Sequence, residues 1–218
     1  MDIALIGGHG KVALLAEPLL TQAGHTVDAV IRNPDQAADV EATGARPVVA
    51  DIQSLDAAGW DRLLEGKDAV VWAAGAGGGD PQRTWAIDRD AAIASMDAAE
   101  RNGVSRYVMV SYFGAGPDHG VPEDDSFYAY AQAKSEADAH LANTGVAWTI
   151  LRPSALTLEE PSLQIDAGAE KPARVSRGNA AFVIAEAVGR SDLGGVIVSF
   201  NDGDTSVSDA LDEAAESD

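Results

Sequence analysis

Ile3-Ala4-Leu5-Ile6-Gly7-Gly8-His9-Gly10-Lys11-Val12-Ala13 opens the chain, and its reading decides the fold. Four apolar residues make a short strand and a glycine-rich turn follows; Val12, Leu15, Leu19 and Leu20 then recur at helical spacing. Gly24 stands where such a helix closes. A strand that turns through glycines straight into a helix is an anion cradle. Gly7 permits the tight turn, a residue without Cβ lets the backbone approach a pyrophosphate, and small Ala13 lets the helix pack closely on the strand. The helix N-terminus adds free N–H groups and a positive dipole end. A glycine string alone is a weak signal, and its weight comes from standing between strand and helix. The segment predicts dinucleotide binding by Gly7, Gly8, His9, Gly10, Lys11 and Val12.

The same alternation runs outward from it. Residues 27–31 form the next apolar strand, and Asn33-Pro34 starts a helical turn, Asn as cap and Pro in the first position. A strand at 47–50, a helix at 55–64 and a strand at 68–72 lead into Gly75-Ala76-Gly77-Gly78-Gly79. A long helix covers about 81–102 and ends at Gly103; a strand at 106–110, a helix at 127–143 and a strand at 147–151 complete the series. Short strands that are apolar throughout, separated by helices, predict an α/β fold: a doubly wound parallel sheet of the Rossmann type with helices on both faces. After Arg152-Pro153 the rhythm loosens. Residues 154–176 read as loop and short strand, 180–188 as helix, 196–200 as a last strand, and 208 to the end as an acidic helix. With no repeat or low-complexity linker, the 218 residues read as one domain with a small substrate-side subregion at about 152–178.

Composition narrows the classes. The chain holds no cysteine, which excludes a disulfide framework, a thiol nucleophile and a Cys-based zinc site, and its four scattered histidines predict no metal. Asp and Glu number 35 against 15 basic residues, only four of them lysine, for a net charge of −20. So anionic a chain repels nucleic acid and anionic membranes, leaving a small-molecule substrate as the expected partner. A homo-oligomer is compatible with the chain, although no face is singled out. Many Asp, few Lys and 41 alanines resemble the proteins of salt-in halophiles. At about 1 M salt the Debye length falls to roughly 3 Å, which screens such self-repulsion. No basic and apolar leader precedes the first strand, and the longest apolar run, 69–74, is too short to cross a bilayer. These features predict a cytoplasmic protein.

Cofactor choice turns on the end of the second strand. NAD-preferring sites place an acidic residue there for the ribose 2′-hydroxyl. Here the strand ends in Arg32-Asn33, and an arginine pairs bidentately with a 2′-phosphate, so NADP (NADPH) is expected. Asp28 competes for the NAD role but lies mid-strand. Asp51 and Ala73-Ala74-Gly75 fall at the carboxyl ends of the third and fourth strands, where ligands bind in such sheets. Asp51 reads equally as an acceptor for the adenine amino group or as a turn cap.

Ser111 directly follows the fifth strand, and Tyr130 and Lys134 stand one helical turn apart on one face of the next helix. A nearby ammonium favours a phenolate, so Lys134 is expected to bring Tyr130 toward neutral pH as a general acid/base while reaching the nicotinamide ribose. Ser111 would orient the substrate oxygen by a hydrogen bond. Tyr112, Phe113, His119, Phe127 and Tyr128 are candidate pocket residues, with His119 read as an exposed loop residue.

These residues carry a resemblance. Residues 6–13, 30–33 and 70–75, Ile87-Asp88, residues 107–111, the Tyr130/Lys134 pair and Leu151-Arg152-Pro153 together resemble the atypical short-chain dehydrogenase/reductase family, in its compact NAD(P)-binding, NmrA-like branch. The chain is similar over nearly its whole length to small bacterial proteins called NAD(P)-dependent epimerase/dehydratase. The resemblance implies NADP binding, cofactor contacts from Lys134, Arg152 and Pro153, and a catalytic set of Ser111, Tyr130 and Lys134 with Asp88. Asp88 stands where many relatives carry asparagine; the alternative role is a buried carboxylate bracing the loop after Ser111. Only about 65 residues follow Arg152, little to hold a bulky nucleotide sugar. The leading expectation is an oxidoreductase acting on a small carbonyl or alcohol. Epimerase/dehydratase chemistry is the alternative, and a non-catalytic NADP(H)-binding regulator the third reading.

Overall fold

The computed structural model describes residues 1–77 and 80–217; Gly78 and Gly79 of the glycine-rich stretch, and Asp218, lie outside the described residues. The strands β1 (Asp2–Ile6), β2 (Thr26–Ile31) and β3 (Arg46–Val49) alternate with helices α1 (Ala13–Gln22) and α2 (Ala37–Ala42). Then come α3 (Ala57–Leu64), β4 (Ala69–Trp72), α4 (Pro81–Thr84) and α5 (Ala92–Arg101), the last two joined by a π-helical segment, Trp85–Ala91. β5 (Arg106–Val110), α6 (Tyr128–Ala142) and β6 (Ala147–Pro153) follow. The remainder comprises β7 (Ala155–Thr157), β8 (Gln164–Asp166), β9 (Arg174–Ser176), α7 (Arg177–Gly189), β10 (Val196–Asp202), β11 (Thr205–Ser206) and α8 (Val207–Glu216).

Nine strands form one sheet in the order β11-β8-β10-β6-β5-β4-β1-β2-β3. Every pair from β10 to β3 is parallel, and β8 runs antiparallel to both β10 and β11. The chain winds outward from β1 through β2 to β3, then returns to the other side of β1 as β4. That reversal opens a crevice above the carboxyl ends of the strands, where ligands bind in such sheets.

Both faces of β1 are buried because the strand has no polar side. Ile3 and Leu5 pack with Leu20 of α1 and Ile184 of α7 on one face; Ala4 and Ile6 pack with Trp60, Trp72, Met96 and Leu141 on the other. Trp60 and Trp72 meet at 6.3 Å between ring centroids. Each fully buried large side chain contributes about 1.5–3 kcal/mol, so two closed faces hold β1, and the loop at its end, rigidly. The stretch expected as loop and short strand carries three strands, β7, β8 and β9, with β7 and β9 paired in a small separate sheet. Among the described residues no helix is long and apolar enough to cross a membrane.

Candidate active site

The loop after β1 is pinned by its neighbours. The backbone N–H groups of Gly7 and Gly8 both donate to the Val30 carbonyl, at 3.1 and 2.9 Å, and Gly10 donates to the Gly7 carbonyl at 2.8 Å. Gly7 has φ +89°, and a Cβ there would lie 2.7 Å from the Ala74 backbone; at Gly8 it would lie 2.6 Å from the Ala29 Cβ. Only glycine lets β1 turn this close to β2 and β4. Val12 begins α1 without a side-chain cap. Among the described residues, the N–H groups of His9, Lys11 and Val12 have no hydrogen-bond partner. That leaves donors at the positive end of a helix.

Above this loop lies a cleft of about 410 Å³, within the range of small-molecule and cofactor pockets. Of the residues expected at the cofactor, Gly7, His9, Gly10, Arg32, Asn33, Asp51, Ala73, Ala74 and Gly75 line it. Arg32 is exposed at the end of β2. Asn33 Oδ1 accepts from the Asp35 N–H at 3.0 Å and starts a short 3₁₀ turn. Asp51 is a turn cap, accepting from the Gln53 N–H at 3.2 Å, and still borders the cleft. Asp28, the competing acid, is neutralised by Arg46 at 2.7 Å and by Lys67. His9 Nε2 lies 2.8 Å from Asp39 Oδ2.

Six residues expected at the cofactor do not line this cleft. Gly8 is sealed against Ala29, Lys11 points to solvent, and Val12 is the first-turn backbone of α1. Arg152 is committed to Asp138, the Pro153 carbonyl accepts from Phe113 N–H at 2.9 Å, and Lys134 is buried elsewhere. The reading missed Arg83 and Gln36, which do line the cleft. Arg83 follows the glycine-rich stretch, a position with no motif to announce it.

Beyond the Gly75 wall lies a buried polar cluster. Asp88 Oδ2 accepts from the Ala76 N–H at 3.0 Å, and its Oδ1 sits 3.2 Å from where a Cβ on Gly75 would stand. Asp88 therefore braces the loop after β4, not the loop after Ser111, and the π-helical segment turns it inward. Burial holds its carboxyl above the ordinary range, opposed by Lys134 and Arg83.

Lys134 departs from expectation. It is 1% exposed, its Nζ donates to the Val110 carbonyl at 2.7 Å, and it touches Met109 Sδ at 3.4 Å. Burial lowers its own pKa, and Asp88 and Asp138 oppose that fall. The Tyr130 phenol, expected to be acidified, is instead held above its ordinary value by burial, then by the charges of Asp88 and Asp138 and by Tyr112. Tyr130 packs against Tyr112 and Phe127, at 5.4 and 5.2 Å between centroids.

Ser111 Oγ donates to Asp138 Oδ2 at 2.8 Å, so its proton is directed inward and not toward a substrate oxygen. Asp138 also accepts from Arg152 Nη2 at 3.1 Å, and burial raises its pKa against the pull of Lys134 and Arg152. The sequence reading missed Asp138, although it stands one turn beyond Lys134 on the same face. His119 is half-buried, not exposed: its Nδ1 accepts from Val121 N–H at 3.1 Å and its Nε2 lies 3.0 Å from Gln132 Oε1. Its ring packs on Tyr128 at 5.8 Å.

The cleft is the place a nicotinamide dinucleotide takes in such sheets, and residues 7–191 match the family model described as NAD(P)H-binding. The chain belongs to that NAD(P)H-binding family. It is 34% identical over 183 residues to an uncharacterised protein of Schizosaccharomyces pombe, covering 75% of this chain and 74% of that one. A Bacillus subtilis protein described as an uncharacterised sugar epimerase is 28% identical, over 97% of this chain and 99% of its own. Among solved structures, a Bacillus halodurans protein provisionally described as an NAD-dependent epimerase/dehydratase superposes with TM-score 0.89 at 29% identity, covering 98% and 99% of the two chains. A Lactococcus lactis oxidoreductase gives TM-score 0.88 at 28% identity, covering 99% and 97%. The family is thus one of enzymes, with oxidoreductase and epimerase/dehydratase names among its members.

Proposed function

We propose that the protein is an NADP(H)-dependent oxidoreductase that reduces a small carbonyl compound, with Tyr130 as proton donor. The observation that carries this reading is one cleft that runs from the glycine loop to Arg32 and shares its Gly75 wall with the Tyr130 cluster. The chain's residues fit the cofactor. Gly7 and Gly10 line the cleft where a Cβ on Gly7 would strike the Ala74 backbone, the His9 N–H beside them is unpartnered among the described residues, and Arg32 follows the strand where NAD-preferring sites carry an acid.

The dinucleotide, when bound, supplies hydride from its nicotinamide ring. That hydride would reduce a carbonyl carbon, and Tyr130 would give its O–H proton to the carbonyl oxygen and be reprotonated by water afterwards. The phenol, held above its ordinary pKa by burial, is protonated throughout the neutral range and so carries the proton that a reduction needs. Lys134 holds the Tyr130 helix against the β5 backbone through Val110. Asp138 ties Ser111 and Arg152 together beneath the ring.

Thermal unfolding in about 2 M KCl with NADPH, NADP, NADH and NAD tests the cofactor. A ligand at 100 times its Kd adds about 2.7 kcal/mol of stability. The expected result is a shift with the phosphorylated pair alone. Tyr130→Phe should then lower carbonyl-dependent NADPH oxidation by about 100-fold or more with NADPH affinity unchanged. Equal turnover in the variant would overturn the role of Tyr130. One observation favours a second reading: the match to the sugar epimerase spans nearly both chains. In that chemistry a sugar is oxidised transiently and the cofactor regenerated, so product would form with no net NADPH consumption.

A further inference from the structure

We propose that Arg83 is the cation that binds the cofactor's pyrophosphate, acting from across the cleft while Arg32 serves the 2′-phosphate. This rests on the dinucleotide reading above and adds to it a residue that no motif marks. Electrostatics motivates the search: a chain of net charge −20 must take up a polyanion, so the local cations decide whether it binds. Most arginines here are already neutralised. Arg46, Arg89, Arg101, Arg152, Arg174 and Arg190 all stand within 4 Å of carboxylates. Arg32 and Arg83 line the cleft, and among the described residues neither makes an ion pair or a side-chain hydrogen bond.

Arg83 is also anomalous. Its Nε is buried and has no hydrogen-bond partner among the described residues, a costly state for a charged donor unless a ligand completes it. Its place in the sheet selects the ligand group. The cleft lies over β4, β1, β2 and β3 in that order, with Asp51 and Gln53 at the β3 end and Arg32 after β2. Arg83 belongs to the helix after β4, close enough to Asp88 to be felt by it, and Asp88 braces Ala76 beside Gly75. The preceding residue, Ala74, contacts Gly7 of the phosphate cradle. We infer the phosphate side for Arg83 from this placement, since its helix follows β4, the neighbour of β1, whereas Asp51 follows β3 at the edge of the sheet. A guanidinium offers the paired donors that a pyrophosphate accepts.

The test is the affinity of wild type, Arg83→Gln and Arg83→Lys for NADPH, NADH and 2′-AMP, which lacks the pyrophosphate, by calorimetry in about 0.5 M KCl. The proposal expects Arg83→Gln to weaken NADPH and NADH by the same factor, about tenfold or more, and to leave 2′-AMP unchanged. Arg83→Lys should recover part of the loss. Unfolding of each unliganded variant serves as the control for folding. A fall for NADPH and 2′-AMP but not for NADH would assign Arg83 to the 2′-phosphate, and an equal fall for all three ligands would place it on the adenine. Either overturns the proposal, as does unchanged affinity throughout, which would leave the dinucleotide reading standing. Wild type that binds neither dinucleotide removes that reading and this one together.

Discussion

Glu17 of α1 is 0% exposed. Its Oε2 accepts from Thr43 Oγ1 at 2.8 Å, and its Oε1 is buried with no partner among the described residues. Burial pushes its carboxyl up to about 7 from 4.5, against opposing contributions from Thr43 and His9. Between those two values the unfolded chain has lost a proton that the folded chain retains. Stability therefore falls as pH rises through this window and levels off above it. Each pH unit is worth about 1.4 kcal/mol, so the ionised carboxylate costs the native state up to about 3 kcal/mol at pH 8. Glu17→Gln keeps the shape and the Thr43 acceptor but cannot ionise. Urea unfolding of both proteins from pH 5 to 8, in about 2 M KCl, should show a stability difference that shifts toward the variant as pH rises, most steeply between 5 and 7. Asp88 and Asp138, also raised by burial, are present in both proteins and cancel in the difference. A difference constant within about 0.5 kcal/mol would refute the reasoning, since Glu17 would then ionise as freely in the native state as in the unfolded one.

Three further outcomes are expected. Arg32→Ala should reduce the NADPH-to-NADH affinity ratio by at least about tenfold, measured by fluorescence titration; an unchanged ratio removes Arg32 from the 2′-phosphate. Asp138→Asn leaves the partly buried Arg152 without its counter-charge and should destabilise the fold by about 3 kcal/mol in urea. Because the Asp138 charge raises the Tyr130 phenol, the same variant should also move the basic limb of the pH–rate profile to lower pH. Melting temperature should rise steeply between about 0.1 and 2 M KCl as a net charge of −20 is screened, and a high, salt-independent value would exclude the halophilic reading.

The parallel sheet was legible because its central strands are apolar on both faces. Residues 69–72 offer no polar side and are fully buried, and only a sheet covered on both sides makes such strands. The glycine loop was legible because strand, glycines and helix are contiguous in sequence. The strands β7, β8 and β9 were not. Each is three residues long with at most two buried positions, and each is defined by pairing with residues 19 to 42 positions away. Asp88 was seen as a site residue, but its partner was misplaced, because it sits in a π-helical segment, whose i→i+5 bonding departs from the regular helical count.

The candidate site shows most sharply where local spacing stops informing chemistry. Tyr130 and Lys134 sit one turn apart, and that spacing alone argues for an acidified phenol. The same rule, continued one turn further along α6, reaches Asp138, which is 3% exposed. Two buried carboxylates, Asp88 from the π-helical segment and Asp138 from α6, therefore act on the ring and its lysine together. The ammonium turns away to the Val110 carbonyl, and burial, then the carboxylates, raise the phenol that a lone lysine would lower. Spacing along one helix counts only the charges that helix supplies. Asp88 comes from an element about 40 residues earlier in the chain, and it adds to the rise that burial itself imposes on Tyr130, as Asp138 does. A helix-face argument thus locates a candidate tyrosine, but the fold that buries it and packs a second carboxylate against it sets the direction of its pKa shift.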